Sequence, residues 1–600
     1  MKNIEFYHVK LNNGYWKLKQ DLNTDVSMQS VWKRFCDTGR IGAFECSWKP
    51  GMENEPHFYW DSDVAKWIEG ASYILKVSDN KILEDRIDNI VSLIEKNQWK
   101  DGYFNIYYTV TENERFTERN NHELYCAGHL IEAAVAYYEA TGKDKFLNCM
   151  IKYADLIYKV FMVDKSAAFV TPGHEEIEMA LVRLYKCIGD KKYLELAGFF
   201  IKNRANNDKD WYCAPNAKAY YCQDHIPPEK MDSAEGHAVR ALYLYCGMID
   251  YAVEAGDKEL IDACNRLYND ITERKMYITG GVGSTFMGEA FTVPYHLPNE
   301  SAYSETCASI ALIMFTKRMQ ELGNSSKYAD VIERAMYNGM MDGISLDGRC
   351  FFYENPLEIN LKNHSINRST TMEEHIPITE RVEVFDCSCC PPNINRTLSA
   401  IQGLAYAYED NTIVINQFMD STLNIDNKCV SVKTKYPIDG KINITKENVE
   451  KIKVRIPSWC KNIRCDCEYT AKNGYMEITE DNVNIEFEMR PMFVKANPKI
   501  RSNRGCTAVQ YGPIVYCIEG VDNGDIYALS LDTKKNITVE YSDEYSLNII
   551  NAKGRRQLPC ADLYMSAENV QYEETDIKLI PYSCHANRGE SDMLVWINEV

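Results

Sequence analysis

A punctuating motif recurs through the first two thirds of the chain and limits the folds open to it. Gly142-Lys-Asp-Lys-Phe, Gly189-Asp-Lys-Lys-Tyr and Gly256-Asp-Lys-Glu-Leu each stand between segments whose apolar residues fall at helical spacing. Gly323-Asn-Ser-Ser-Lys-Tyr is a looser fourth copy, one residue longer. Glycine closes a helix in the left-handed conformation at no steric cost, so each copy predicts an antiparallel helical hairpin. Asn120–Tyr138 shows the pattern of a first helix, with Leu124, Ala127, Leu130, Ile131, Ala134 and Tyr138 at helical spacing. The copies recur at intervals of roughly 45–70 residues. A solenoid keeps a tight period and does not carry such long insertions. A closed ring of hairpins, an α/α toroid with its loops gathered at one mouth, explains the spacing better.

The insertions hold polar residues at matching places. His122, His174, His237 and Glu305 each precede a glycine motif by roughly 15–20 residues, near the start of the hairpin's first helix. Equivalent positions of a ring share one mouth, so these four side chains are expected to converge. Thr171-Pro172 predicts a cap followed by proline at the first helical position, and Ser304 is expected to cap ahead of Glu305. After about residue 410 the period changes to two, as in Thr412-Ile-Val-Ile-Asn-Gln-Phe, Lys453-Val-Arg-Ile-Pro and Val483-Asn-Ile-Glu-Phe. The expected organisation is multidomain α+β: a helical ring over 15–410, a β-sandwich over 411–520 that the first fourteen residues are free to join, and a β-rich region over 521–600.

Six hundred residues exceed one ordinary core, in keeping with several domains. A net charge of −20 argues against nucleic acid or an anionic membrane as partner. The start, Met1-Lys-Asn-Ile-Glu-Phe-Tyr-His, lacks an apolar signal region, and no uncharged run is long enough to span a bilayer, which predicts a cytoplasmic protein. Its 22 cysteines are scattered without a small-domain disulfide framework and are expected to be reduced. Forty tyrosines and nine tryptophans fit a carbohydrate-handling protein. The number of subunits is open, a homodimer included.

Chemistry concentrates late in the ring. Cys387-Ser-Cys389-Cys390-Pro391-Pro392-Asn393 sets adjacent thiols before a proline pair and an amphipathic helical pattern. A residue before proline is pushed out of the α region, so Cys390 is expected to be extended, with the prolines and Asn393 opening the helix. The thiols then face the positive end of a helix dipole, where thiolate is favoured. Adjacent cysteines bridge each other badly but can share a soft metal. Glu305 and Cys307 add a carboxylate and a third thiol, completing a three-sulfur, one-oxygen set suited to tetrahedral zinc, with Cys387 as a competing ligand. Gly280-Gly-Val-Gly-Ser-Thr-Phe-Met-Gly288 leads into Glu289; it lacks the Gly-Lys-Ser/Thr ending and the dinucleotide spacing, which excludes a nucleotide loop.

Seven motifs stand in one order along the chain: Asn121-His-Glu-Leu-Tyr-Cys-Ala-Gly-His129, Thr171-Pro-Gly-His-Glu-Glu176, Gly236-His-Ala-Val-Arg240, Gly280-Gly-Val-Gly283, Glu305-Thr-Cys-Ala-Ser309, Phe351-Phe-Tyr-Glu-Asn-Pro356 and Cys389-Cys-Pro-Pro-Asn393. In them the sequence resembles the β-L-arabinofuranosidases of glycoside hydrolase family 127, from about residue 10 to the C-terminal strands. The resemblance implies a retaining exo-glycosidase on an (α/α)6 barrel with β-sandwich domains. It also implies Cys389 as nucleophile, Glu289 as general acid/base, and Glu305, Cys307, Cys389 and Cys390 as zinc ligands. His122, His174, His237 and Tyr353 would bind the sugar. Two rivals stand beside it: a relative acting on another terminal sugar, and a non-catalytic carbohydrate-binding protein with a structural zinc. Glu289 beside the full thiol set argues against the second, because a structural metal site needs no acid across the pocket.

Overall fold

The computed structural model describes residues 1–111, 113–205, 219–364, 375 and 377–600. It is a multidomain α+β protein with a helical N-terminal part and β-sheets after residue 405. After two N-terminal helices, α1 (Gly14–Leu22) and α2 (Met28–Asp37), come five hairpins. These are α3 (Trp60–Val77) with α4 (Lys81–Asn97), α5 (Glu123–Thr141) with α6 (Lys145–Tyr158), and α7 (Ile177–Ile188) with α8 (Lys191–Lys202). The last two are α9 (Ala238–Ala255) with α10 (Lys258–Arg274), and α11 (Thr306–Leu322) with α12 (Lys327–Arg334). The last inner helix, α13 (Cys390–Ser399), has no hairpin partner after it in sequence.

Packing closes the helical part on itself. Helix α3 packs on α5, α5 on α7, α7 on α9, α9 on α11 and α11 on α13, and α13 returns to α3. Each of these inner helices has an outer partner; for α13 it is α2, brought from the far end of the chain. The inner helices are buried nearly all round, as their double contacts demand: fifteen of the nineteen residues of α5 are buried.

The glycine motifs act as expected in three hairpins. Gly142, Gly189 and Gly256 stand just past α5, α7 and α9 with φ of 74°, 81° and 70°. Gly323 does not; at φ −100° and ψ 155° it leaves α11 extended. Thr171 caps no helix either, since α7 starts only at Ile177. Its hydroxyl and carbonyl accept from Arg119, which anchors the loop. Ser304 lies one residue too early, at φ 42°, and Glu305 holds the cap position of α11.

Two six-stranded sheets follow the ring. Lys2–Asn3 pairs with Tyr406–Glu409 in one and Val9–Leu11 with Ser421–Ile425 in the other, so the chain start is stitched into both. A ten-stranded sheet collects Pro491–Val494, Cys506–Tyr511 and Ile514–Glu519 with the strands from Leu529 to Glu599. It therefore runs across residue 520, where a division was expected. Its edge takes in Glu358–Ile359 from the helical part, just beyond the Phe351–Pro356 motif. Among the described residues no helix is long and apolar enough to cross a membrane.

Candidate active site

The N-terminal ends of the inner helices meet at one mouth of the ring. His122 stands at the cap position of α5, with φ of 56°, and His237 at that of α9. His174 lies three residues before α7. Their rings run in a row, 5.4 Å from His122 to His174 and 5.6 Å on to His237. Backbone partners fix the tautomers. Nδ1 of His122 faces the Asn120 carbonyl at 2.7 Å and Nδ1 of His174 the Glu175 carbonyl at 3.0 Å. A carbonyl only accepts, so these Nδ1 atoms carry the protons and each Nε2 is an acceptor. His237 is reversed: its Nδ1 accepts from the backbone N–H groups of Val239 and Arg240, so Nε2–H donates, to Glu289 at 2.6 Å. Burial, reinforced by the Arg240 charge, holds His122 and His174 well below the ordinary histidine value, and both are neutral.

Glu289 reaches His237 through local backbone. Ala290–Phe291 pairs antiparallel with Gly236–His237, placing Ala290 opposite His237. The turn before that strand puts Glu289 at φ 51°, a left-handed position uncommon for a non-glycine residue and frequent at functional sites. Burial pushes its carboxyl up, yet His237, the Tyr303 hydroxyl and Arg240 pull it down further, and the net direction is below the ordinary value. The glycine-rich loop has a mechanical role here. A Cβ on Gly281 would stand 1.9 Å from Ser304 Oγ, and Ser304 N–H donates to the Gly283 carbonyl at 2.7 Å. The loop thus lies flat against the residues that lead into Glu305.

The four expected ligands come together. Glu305 is the cap of α11 and Cys307 lies in its first turn; Cys389 is the cap of α13 and Cys390 its first residue. Cys390 is therefore helical rather than extended. First-turn N–H groups have no partner within the helix, so Pro391 and Pro392 sit there without losing a hydrogen bond, which outweighs the bias before proline. Sulfur separations are 3.6 Å for Cys307–Cys389, 3.4 Å for Cys307–Cys390 and 3.7 Å for Cys389–Cys390. Glu305 Oε1 is 3.5 Å from Cys389 Sγ and 3.8 Å from Cys390 Sγ.

Bonds of about 2.3 Å to a tetrahedral zinc place neighbouring sulfurs about 3.8 Å apart, close to these edges. Oε2 of Glu305 is buried with no hydrogen-bond partner, as a carboxylate awaiting a cation would be. The donor set fits zinc. Cys387 stands outside the four, with its sulfur 3.9 Å from the Tyr353 hydroxyl. Within the cluster, burial raises Cys307, but hydrogen bonds from Cys389 and Cys390 outweigh it and bring it to about 6. Burial and the neighbouring thiols push Cys390 well up.

The two halves share a carboxylate. Ligand atoms of His237, Glu289 and Glu305 lie within 4.8 Å of one another, so Glu305 sits between Glu289 and the thiols. The backbone of the Phe351–Pro356 motif seats the start of α11: Thr306 N–H donates to the Tyr353 carbonyl at 2.9 Å. Several contributors escaped the sequence reading. Tyr303 bonds Glu289, the Tyr125 ring lies 4.0 Å from that of His174 and tilted 43° to it, and Arg40 holds the carbonyls of Phe385 and Asp386 at 3.0 and 2.7 Å. Tyr125 and Tyr303 do lie in or beside the quoted motifs; Arg40 carries no local signal at all.

Known proteins bear on this arrangement. Residues 8–403 match the β-L-arabinofuranosidase catalytic domain of glycoside hydrolase family 127, 412–489 its middle domain and 491–598 its C-terminal domain. A non-reducing end β-L-arabinofuranosidase of Bifidobacterium longum subsp. longum is 32% identical over 604 residues, covering 91% of this chain and 90% of that protein. A crystal structure of a family 127 β-L-arabinofuranosidase from Geobacillus stearothermophilus T6 superposes with a TM-score of 0.91 at 36% identity, over 99% of this chain and 100% of the other. A second solved family 127 β-arabinofuranosidase gives 0.90 at 32% identity, over 100% and 98%. The domains match in order and the likeness spans the chain, so this protein belongs to glycoside hydrolase family 127.

Proposed function

We propose that the protein is a retaining exo-glycosidase that releases terminal β-L-arabinofuranose from short oligosaccharides or glycoconjugates. In this reading the closed succession of inner and outer helices is an (α/α)6 barrel, Cys389 is the nucleophile and Glu289 the acid/base. The observation that carries it is the thiol cluster with Glu289 beyond it across Glu305, in a chain whose relatives bear the name of that activity.

The sugar sits between the histidine row and Tyr353. Nε2 of His122 and of His174 accept from its hydroxyls, and His237 Nε2–H and the Tyr353 hydroxyl donate. Glu305, Cys307, Cys389 and Cys390 would hold one zinc ion, supplying the positive charge that keeps thiols ionised near neutral pH. Cys389 Sγ attacks the anomeric carbon as the glycosidic bond breaks, and Glu289 gives its proton to the departing oxygen. Glu289, now a carboxylate held by His237 and Tyr303, takes a proton from the incoming water. Water bonds to the anomeric carbon, the carbon–sulfur bond breaks, and its electron pair returns to Sγ. Two displacements retain the configuration. Zinc-loaded protein should release arabinose from an aryl β-L-arabinofuranoside with the β-anomer formed first, followed by NMR. Inversion, or binding without turnover, overturns the reading.

A further inference from the structure

We propose that Phe286 and His375 form a stacking subsite for the leaving sugar of the oligosaccharides proposed above as substrates. The inference rests on the glycosidase reading above and concerns what lies beyond the bond that is cut.

A leaving group must exit on the side of the acid, since its oxygen has to come within about 2.6–3.2 Å of the Glu289 carboxyl. Phe286 stands on the turn that carries Glu289, whose N–H donates to the Phe286 carbonyl at 2.9 Å. Its ring is stacked on His375, with centroids 3.9 Å apart and planes 16° from parallel, yet 45% of Phe286 remains exposed. His375 is fixed from the other wall: its Nε2 lies 2.8 and 2.9 Å from the two carboxylate oxygens of Glu354, the residue after Tyr353. The pair therefore bridges the acid's turn and the sugar-binding wall. Tyr303, which bonds Glu289, is 6.0 Å from the Phe286 ring and joins it to the acid.

A lone exposed phenylalanine needs no explanation. An exposed ring that is clamped flat by a second ring, beside the acid, offers a rigid platform at little entropic cost. Such a face suits the C–H face of a sugar ring. Glu289 and Glu354 beside it disfavour an anionic leaving group.

The test compares kcat/KM for a β-L-arabinofuranosyl-arabinose disaccharide with that for methyl β-L-arabinofuranoside, whose leaving group has no ring. The ratio should fall about threefold to tenfold in Phe286→Ala, the range of an aromatic stacking contact. His375→Ala should move it the same way, and Phe286→Trp should hold it near the wild-type value. An unchanged ratio in Phe286→Ala overturns the subsite, including the case where both substrates slow equally because the turn has shifted. Wild-type protein that cleaves neither substrate sinks the glycosidase reading and this inference together, whereas cleavage of both with an unchanged ratio sinks the inference alone.

Discussion

If Glu289 is the acid/base and Cys389 the nucleophile, as proposed, Glu289→Gln separates the two roles most sharply. Glutamine is nearly isosteric, and its carbonyl oxygen can still accept from His237 Nε2–H, which lies 2.6 Å from the carboxylate. The left-handed backbone at φ 51° is untouched by the change. Glu289 lies outside the four-ligand set, so zinc should stay bound. Proton transfer alone is lost, worth about 10²–10⁴-fold, or roughly 3–5 kcal/mol in the barrier. The loss should fall unevenly. An aryl glycoside with an acidic phenol needs little protonation, so the first displacement proceeds while the second, which needs a base, stalls. A covalent arabinosyl group should then accumulate on Cys389, one sugar per chain, visible as intact-mass gain and located by peptide mapping. Added azide, a nucleophile that needs no deprotonation, should restore turnover. A sugar on a carboxylate, or no adduct with turnover equally slow on all leaving groups, refutes the thiolate mechanism.

Four further outcomes follow from the geometry. His237 pulls the Glu289 carboxyl down through its charge and hydrogen bond. Removing it in His237→Ala lets that value rise, so the acid form persists to higher pH and the basic limb of kcat/KM against pH should move upward; an unmoved limb excludes Glu289 as the acid. Gly281→Ala forces a methyl group to within 1.9 Å of Ser304 Oγ, so calorimetry should show a loss of about 1–3 kcal/mol, and activity should fall as Glu305 shifts; an unchanged Tm and rate would show that the loop yields freely. Elemental analysis should find about one zinc per chain. Lys66→Met removes a buried cation that favours ionised Cys307, so protons should displace zinc at a higher pH than in wild type, as read by a chromogenic chelator; an unchanged midpoint denies Lys66 that role.

Period and punctuation made the ring legible, because a helical hairpin is a local object and glycine marks its turn. The histidine row followed from the ring, since equivalent positions of a closed repeat must share a mouth. Helix starts were read less well. Thr171 and Ser304 have the composition of caps, but Arg119 claims the first and the contact with Gly281 and Gly283 displaces the second. Both partners are brought by folding, not by neighbouring sequence. Arg40 shows the limit most plainly: it steadies a loop 345 residues away. The ten-stranded sheet was hidden for the same reason, because strands that pair across the expected division at residue 520 look no different from strands that do not.

Why the four proposed zinc ligands would sit at two helix starts is a question of charge. Three thiolates and a carboxylate carry four negative charges, and a divalent ion cancels two. Burial makes the remaining pair costly unless positive charge lies close by. Each helix N-terminus contributes roughly half a unit, and α11 and α13 both point theirs at the cluster. Lys66 is fully buried, bonds the Tyr125 hydroxyl at 2.7 Å and supplies one more unit. Together these come near to balance without using Arg240, whose charge is directed at the histidines and Glu289. The division serves both halves. Helix ends and Lys66 favour ionised sulfur, while burial, reinforced by Arg240, keeps His122 and His174 neutral and able to accept, as the proposed sugar contacts require. A ring of helices can offer several such N-termini to one point, and a catalyst that depends on thiolate instead of a second carboxylate has reason to be built there.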